Sequence, residues 1–368
     1  MMPIGLVVMR WNERMGTEIM NKYPEEIEIT DKTLMQIYST HEYSGESGLV
    51  SLMIGSLNIA SYYTGPQNEY YIILLLNVDE DPDSYEEGLV DASRVILQNL
   101  NDDAYFKMLP SLFQRLAVYP TLNIEQKLAI TYYDEVKRMI IDRLRVDGAV
   151  SKSEITIWLK DQYKQGFLNI DADIMDLIKR DIIKQVSVKG IPSELIFLIK
   201  DIVCMRVPPV DLVKDPLDHG LPSSLVEDYK TEVKKYFQAY HPSEADNLRV
   251  LDVLTNPQAY ETLHLLRTAI VTRNELEKLK KKGVDDLDNA LKMLWESQLV
   301  QIFRDENENE YYALLSDFYM DLIFPKYLLN VIKRTYEKKS KANSVLIEYL
   351  TILEDNYVSM KSIKKSIV

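Results

Sequence analysis

The residues of this chain that could do chemistry are four histidines, one cysteine and several acidic runs, and their spacing argues against most of that chemistry. His41, His219, His241 and His264 lie far apart, without the i+3 or i+4 partner, the H-E-x-x-H run or the cysteine pair that a zinc site needs. Cys204 stands among Ile202, Val203, Met205 and Val207, where a thiol reads as a small buried hydrophobe rather than a nucleophile. No serine sits in G-x-S-x-G, and Gly45-Glu46-Ser47-Gly48 is a poor substitute. Neither G-x-G-x-x-G after a strand nor G-x-x-x-x-G-K-[ST] is present, so the usual phosphate-cradling loops are missing. Asp79, Asp81 and Asp83 alternate like the opening of a calcium loop, but position six is Ser84 rather than Gly and position twelve is Val90 rather than Glu. They read as an acidic loop approaching a helix N-terminus, which the helix dipole favours. The carboxylates from Asp305 to Glu310 read as a solvated turn. The expectation is a chain with no catalytic residue, no cofactor and no metal.

What remains is binding, and charge separates its classes. The formal net charge of −14 opposes broad attraction to phosphate backbones or anionic membranes. A basic run, Lys278, Lys280, Lys281 and Lys282, precedes a helix predicted over Asp285–Ser297, which also carries Lys292. That helix holds Asp285, Asp286, Asp288 and Glu296, which would repel a duplex. An earlier helix mixes Asp171, Asp173, Asp176 and Asp181 with Lys179, Arg180 and Lys184 and is balanced at best.

These helices belong to repeated patterns. Residues 259–316 read as helix Tyr260–Thr268, Thr272 capping Arg273–Lys281, a turn at Gly283, the helix Asp285–Ser297, and strands Gln301–Arg304 and Tyr311–Leu315 around a polar tip: a winged helix. Residues 136–190 repeat the idea with helix Val136–Leu144, Ser151 capping Lys152–Tyr163, helix Ala172–Lys179 and a strand Lys184–Gly190, the second strand being indistinct. Upstream, strands are expected at 4–11, 17–23, 49–56, 58–63 and 70–77, with helices at 31–42 and 84–100. That order buries one face of an antiparallel sheet against helices. Between and after the winged helices come a punctuated linker from Arg206 to Pro222, helices Ser224–Tyr240 and Glu244–Leu254, and closing helices Phe318–Tyr336 and Ser344–Tyr357.

The expected architecture is therefore α+β, a five-stranded antiparallel sheet with helices followed by a mostly helical part with two winged-helix units. Its divisions are 1–120, 121–207 with a lead-in helix, a helical linker 208–258, a second winged-helix unit 259–336, and a C-terminal helix and tail 337–368. With 368 residues, 46% hydrophobic and 27% charged, the chain suits two or three compact domains. Tyr70–Val78 and Ile191–Val207 are too short or interrupted to cross about 30 Å of hydrocarbon. The start lacks the pattern of a secretory signal, and a single cysteine fits a reducing compartment, so a cytoplasmic location is expected.

The opening Gly5-Leu-Val-Val-Met-Arg-Trp11, the turn Asn12-Glu-Arg-Met-Gly16 and Thr17-Glu-Ile-Met-Asn-Lys-Tyr-Pro24 resemble longin and roadblock-type domains over residues 1–100. Thr17 departs from the Pro that often follows the glycine. The resemblance implies homodimerisation or docking to small GTPases and membrane-traffic complexes, and it fits winged helices that serve as protein-binding modules, as in the ESCRT-II complex. It implies contact residues around the first hairpin and helix: Trp11, Asn12, Arg14 and Tyr38. Trp11 and Tyr38 also suit an ordinary core. The leading expectation is a non-enzymatic scaffold or adaptor with a protein partner. The competing one is a winged-helix DNA-binding regulator using Lys280, Lys281, Lys282 and Lys292.

Overall fold

A computed structural model describes residues 3–44, 48–66, 68–100, 105–163 and 170–366. The chain folds into two compact units, one of Met1–Leu122 with Lys164–Ala172, the other of Asn123–Tyr163 with Asp173–Val368. Among the described residues no helix is long and apolar enough to cross a membrane.

The first unit runs β1 (Gly5–Asn12), β2 (Gly16–Tyr23), α1 (Asp31–Ser44), β3 (Gly48–Ile54), β4 (Leu57–Tyr63), β5 (Tyr70–Leu76), α2 (Glu86–Gln98) and α3 (Tyr105–Val118). Its strands form one antiparallel five-stranded sheet in the order β2-β1-β5-β4-β3. Because side chains alternate along a strand, Leu6 and Val8 with Ile72, Leu74 and Leu76 face one core, which Leu89, Ile96, Leu109 and Leu116 of α2 and α3 complete. Val7 and Met9 with Tyr71, Ile73 and Leu75 face the opposite core, closed by Leu34 and Ile37 of α1. Both faces are thus covered, where the order of elements had suggested one. The cause is visible in the central strands, whose apolar runs are continuous rather than alternating. Gly16 closes the first hairpin at φ +83, a conformation that resists a side chain.

The order of elements in the second unit is duplicated, its helix Ile170–Lys179 beginning within the residues of the first unit. Its first half runs α4 (Ile124–Tyr133), α5 (Glu135–Asp147), β6 (Ala149–Ser151), α6 (Lys152–Gln162), α7 (Ile170–Lys179), β7 (Ile183–Val186), β8 (Leu195–Leu198), β9 (Asp201–Val207), α8 (Val210–Lys214) and α9 (Val226–Ala239). The second half runs α10 (Glu244–Thr255), α11 (Pro257–Leu266), β10 (Val271–Thr272), α12 (Arg273–Leu276), α13 (Leu287–Glu296), β11 (Val300–Arg304), β12 (Glu310–Leu314), β13 (Asp317–Ile323), α14 (Leu328–Glu337) and α15 (Asn343–Ser366). Each half holds a three-stranded sheet with its last strand in the middle, β6-β8-β7 and β10-β12-β11, which is the winged-helix arrangement.

The correspondence reaches single residues. Asp134 ends α4 and caps α5, and Asn256 ends α10 and caps α11. Val150-Ser151-Lys152-Ser153-Glu154-Ile155 matches Val271-Thr272-Arg273-Asn274-Glu275-Leu276, with Ser151 and Thr272 as the helix caps. After the third helix Asp181 and Gln298 both turn through positive φ, at 58° and 57°. The carbonyls of Ile182 and Leu299 then each accept two backbone N–H groups, from Ile199 and Lys200 and from Leu315 and Ser316.

The two halves meet through β9 and β13, which pair antiparallel over their full lengths with Cys204 opposite Met320 at the centre. Residues equivalent by the duplication exchange places across this pair, so it behaves as a two-fold contact within one chain. Arg145 holds one end, donating to Asp201 at 2.9 Å and the Ile202 carbonyl at 2.8 Å. Arg267 holds the other, donating to Asp317 at 2.8 Å and the Phe318 carbonyl at 2.9 Å. The trailing helices are exchanged as well. Tyr229 of α9 donates to the Leu314 carbonyl in the second half, and Tyr349 of α15 donates to the Leu198 carbonyl in the first, both at 2.9 Å.

Three further expectations change. Phe318–Tyr336 is not one helix: its first part is β13 and Pro325 separates it from α14. Arg206 and Val207 belong to β9 rather than to a linker, and the Arg206 side chain is buried against Asp246, Ser316 and the Ser297 carbonyl. The indistinct second strand of the first wing is β8.

Tyr229→Phe and Tyr349→Phe remove the same bond at equivalent places, so each is expected to cost about 1–2 kcal/mol. Urea unfolding of the full chain followed by circular dichroism checks this; a marked cost for one and none for the other would contradict the reciprocal exchange.

Candidate interaction surfaces

One end of the first unit carries the residues singled out around the first hairpin. Asn12 starts the turn, its side chain accepting from the Arg14 and Met15 amides at 2.9 and 3.3 Å, and this leaves Arg14 exposed. Trp11, at the end of β1, and Tyr38, in the middle of α1, are both half-buried and stack with ring centroids 3.7 Å apart and planes 12° from parallel. The cluster continues inward: Tyr38 meets Tyr71 edge-on at 6.1 Å, and Tyr71 stacks on Tyr63 at 4.7 Å. Trp11 and Tyr38 are therefore neither wholly core nor freely exposed. They form the rim of an aromatic column.

His41 closes that column beside Tyr63 and Tyr71, 1% exposed, with Nε2 2.9 Å from the Ser61 hydroxyl. Burial lowers its pKa to about 4, so the imidazole is neutral near pH 7. Tyr38 moves the other way: its hydrogen bond to Glu42, with burial, pushes the hydroxyl up to about 12. The hydroxyl stays protonated and is a donor.

The acidic loop after β5 is built as a helix entry. Glu80 accepts from the Asn77 amide at 2.9 Å and the Tyr85 hydroxyl at 2.8 Å. Asp81 accepts from the Asp83 amide, and Asp83 from the Ser51 hydroxyl. Among the described residues no group of three or more histidine, cysteine or acidic side chains is placed to hold a metal. Burial raises the Cys204 thiol to about 12, which leaves it a poor nucleophile.

In the second unit, α13 buries Leu287, Ala290, Leu291 and Leu294 and turns Asp288, Asn289, Lys292, Trp295 and Glu296 outward. Asp285 and Asp286 are exposed just before it. Lys280, Lys281 and Lys282 are exposed at the end of a 3-10 turn, Glu277–Lys282. Lys282 lies 3.8 Å from Glu261 and Lys292 3.8 Å from Glu296, so two of the four candidate phosphate contacts already face carboxylates. The duplication places Asp171 of α7, also exposed, at the position of Asp288.

The residue that sequence reasoning missed is Trp295, 60% exposed on that outward face. Its signal was a large apolar side chain one step out of phase with the buried stripe. The equivalent face of α7 exposes Met175, 51% accessible.

No protein-family model matches this chain, and comparison with curated proteins returns no significant match.

Because the unfolded imidazole binds a proton near pH 6.5 and the folded one only near pH 4, acidification through that window favours the unfolded chain. The loss attributable to His41 is on the order of 3 kcal/mol. Comparing urea stability at pH 7 and pH 4.5 for wild type and His41→Gln checks this; the variant is expected to lose less on acidification, and an identical loss would contradict it.

Proposed function

We propose that this chain is a non-enzymatic protein-interaction adaptor whose sheet domain and winged helices each bind protein. The observation that carries the reading is Trp295, held out to solvent on the third helix of a winged helix, between Asp288 and Glu296. Tryptophan anchors contribute strongly to protein–protein affinity, whereas a helix entering a DNA groove needs cations around it. Acidic residues at equivalent positions of both third helices, Asp171 and Asp288, support the same choice. The order of elements in the first unit resembles longin and roadblock domains, which supports a place in a small-GTPase or membrane-traffic type of pathway, with a GTPase among the partners and self-association through the first unit. A cytoplasmic location suits that role.

The exposed Lys278, Lys280, Lys281 and Lys282 favour the second reading, a DNA-binding regulator. Two measurements separate the readings. Duplex DNA titrated into the full chain at low and moderate salt should bind weakly and equally to wild type and to the variant with Lys280, Lys281 and Lys282 changed to Glu. A purified partner should bind Trp295→Ala about 30-fold more weakly than wild type. Tight, salt-dependent duplex binding abolished by the charge reversal would instead establish the second reading.

A further inference from the structure

The aromatic column of the first unit ends in two carboxylates. Glu42 sits one helical turn after Tyr38 on α1, exposed, and its carboxylate is the largest influence holding the Tyr38 hydroxyl in its protonated form. Glu69 lies in the turn between β4 and β5 at φ +58, and its carbonyl accepts from the Trp11 amide at 3.2 Å. That bond ties the turn to the end of β1. Both carboxylates also raise the hydroxyls of Tyr63 and Tyr71, after the larger effect of burial, so their negative field reaches the tyrosines of the column. His41 is neutral and brings no positive charge. Among the described residues neither Glu42 nor Glu69 forms an ion pair.

Half-buried aromatic side chains beside two carboxylates that form no ion pair make a recognition surface for a cation. Aromatic faces attract cations through their quadrupole. A guanidinium adds what an ammonium lacks: it is planar, so it stacks, and its fork of N–H donors reaches carboxylates while the ring contact is kept.

We propose that this end of the first unit, formed by Trp11, Tyr38, Tyr63, Glu42 and Glu69, binds an arginine side chain presented by a protein partner. The proposal rests on the adaptor reading and gives it a chemistry. It stands apart from Trp295, so the two can fail separately.

The test uses the full chain labelled with 5-fluorotryptophan, whose three 19F resonances report Trp11, Trp158 and Trp295 individually; Trp11→Phe assigns the first. The probes are three short Gly-Ser peptides alike except for one central arginine, citrulline or lysine. The arginine peptide is expected to shift the Trp11 resonance saturably and leave that of Trp295 in place, with the citrulline peptide at least about ten-fold weaker, because citrulline keeps the shape and loses the charge. Glu42→Gln with Glu69→Gln is expected to weaken the arginine peptide about ten-fold while the remaining 19F spectrum stays that of the folded chain. Equal responses to arginine and citrulline, equal responses to arginine and lysine, or a Trp11 resonance that does not move would each overturn the assignment. Such a result alongside partner binding that still depends on Trp295 would leave the adaptor reading intact.

Discussion

The antiparallel pairing of β9 with β13 is the contact on which the second unit depends. It joins strands more than a hundred residues apart and sets the register between two copies of one motif. Each end is held by an arginine at the C-terminal end of the first helix of a winged helix, Arg145 in α5 on Asp201 and Arg267 just after α11 on Asp317. These groups are largely withdrawn from water, so removing either arginine would leave its carboxylate, Asp201 or Asp317, without that cation in a poorly solvated place, a change that commonly costs several kcal/mol. Tyr132 and Glu125 of α4 complete the two guanidinium environments, tying the lead-in helix to the same contact. The exchanged helices α9 and α15 follow from this arrangement: each leaves its own half through the central pair and packs on the other.

That geometry explains why the two halves can diverge at their outer faces. Caps, left-handed turn residues and strand order are shared because the fold needs them at both sites. The outward positions of the third helices carry no such duty, and there the halves differ: Met175 answers Lys292, and Trp295 has only the half-buried Ile178 as its counterpart. In the first unit, sheet packing uses both faces of β1 and β5, and the aromatic column stands where the α1 side of the sheet runs out into solvent.

Much of this was legible from local chemistry. Gly16 after a polar turn, Ser151 and Thr272 before helices, and the alternation around Asp305–Asn309 each act within a few residues, and each marks a real boundary. The five-stranded antiparallel sheet and the α+β class followed from such signals. What stayed hidden depends on distant partners. β13 carries Phe318, Met320 and Leu322, a pattern open to strand or helix until β9 is known to lie beside it. β8 is a continuous apolar run because it is the middle strand of its small sheet, so no alternation announces it. Among the candidate contacts, the resemblance of the first hairpin points to Trp11 and Tyr38, but their stacking and the carboxylates near them need the folding of α1 over the sheet. Trp295 was present in the sequence as an apolar residue out of phase, and only its exposure gives it meaning.

The adaptor reading stands or falls on whether the outward face of α13 receives protein and not nucleic acid. Hydrogen–deuterium exchange of the full chain with a purified partner decides this, with a duplex DNA titration run in parallel. The partner is expected to slow exchange across Leu287–Glu296, and DNA is expected to leave both this helix and Lys278–Lys282 unchanged. Protection of α13 together with Lys278–Lys282 by DNA, with none from a protein partner, would contradict it.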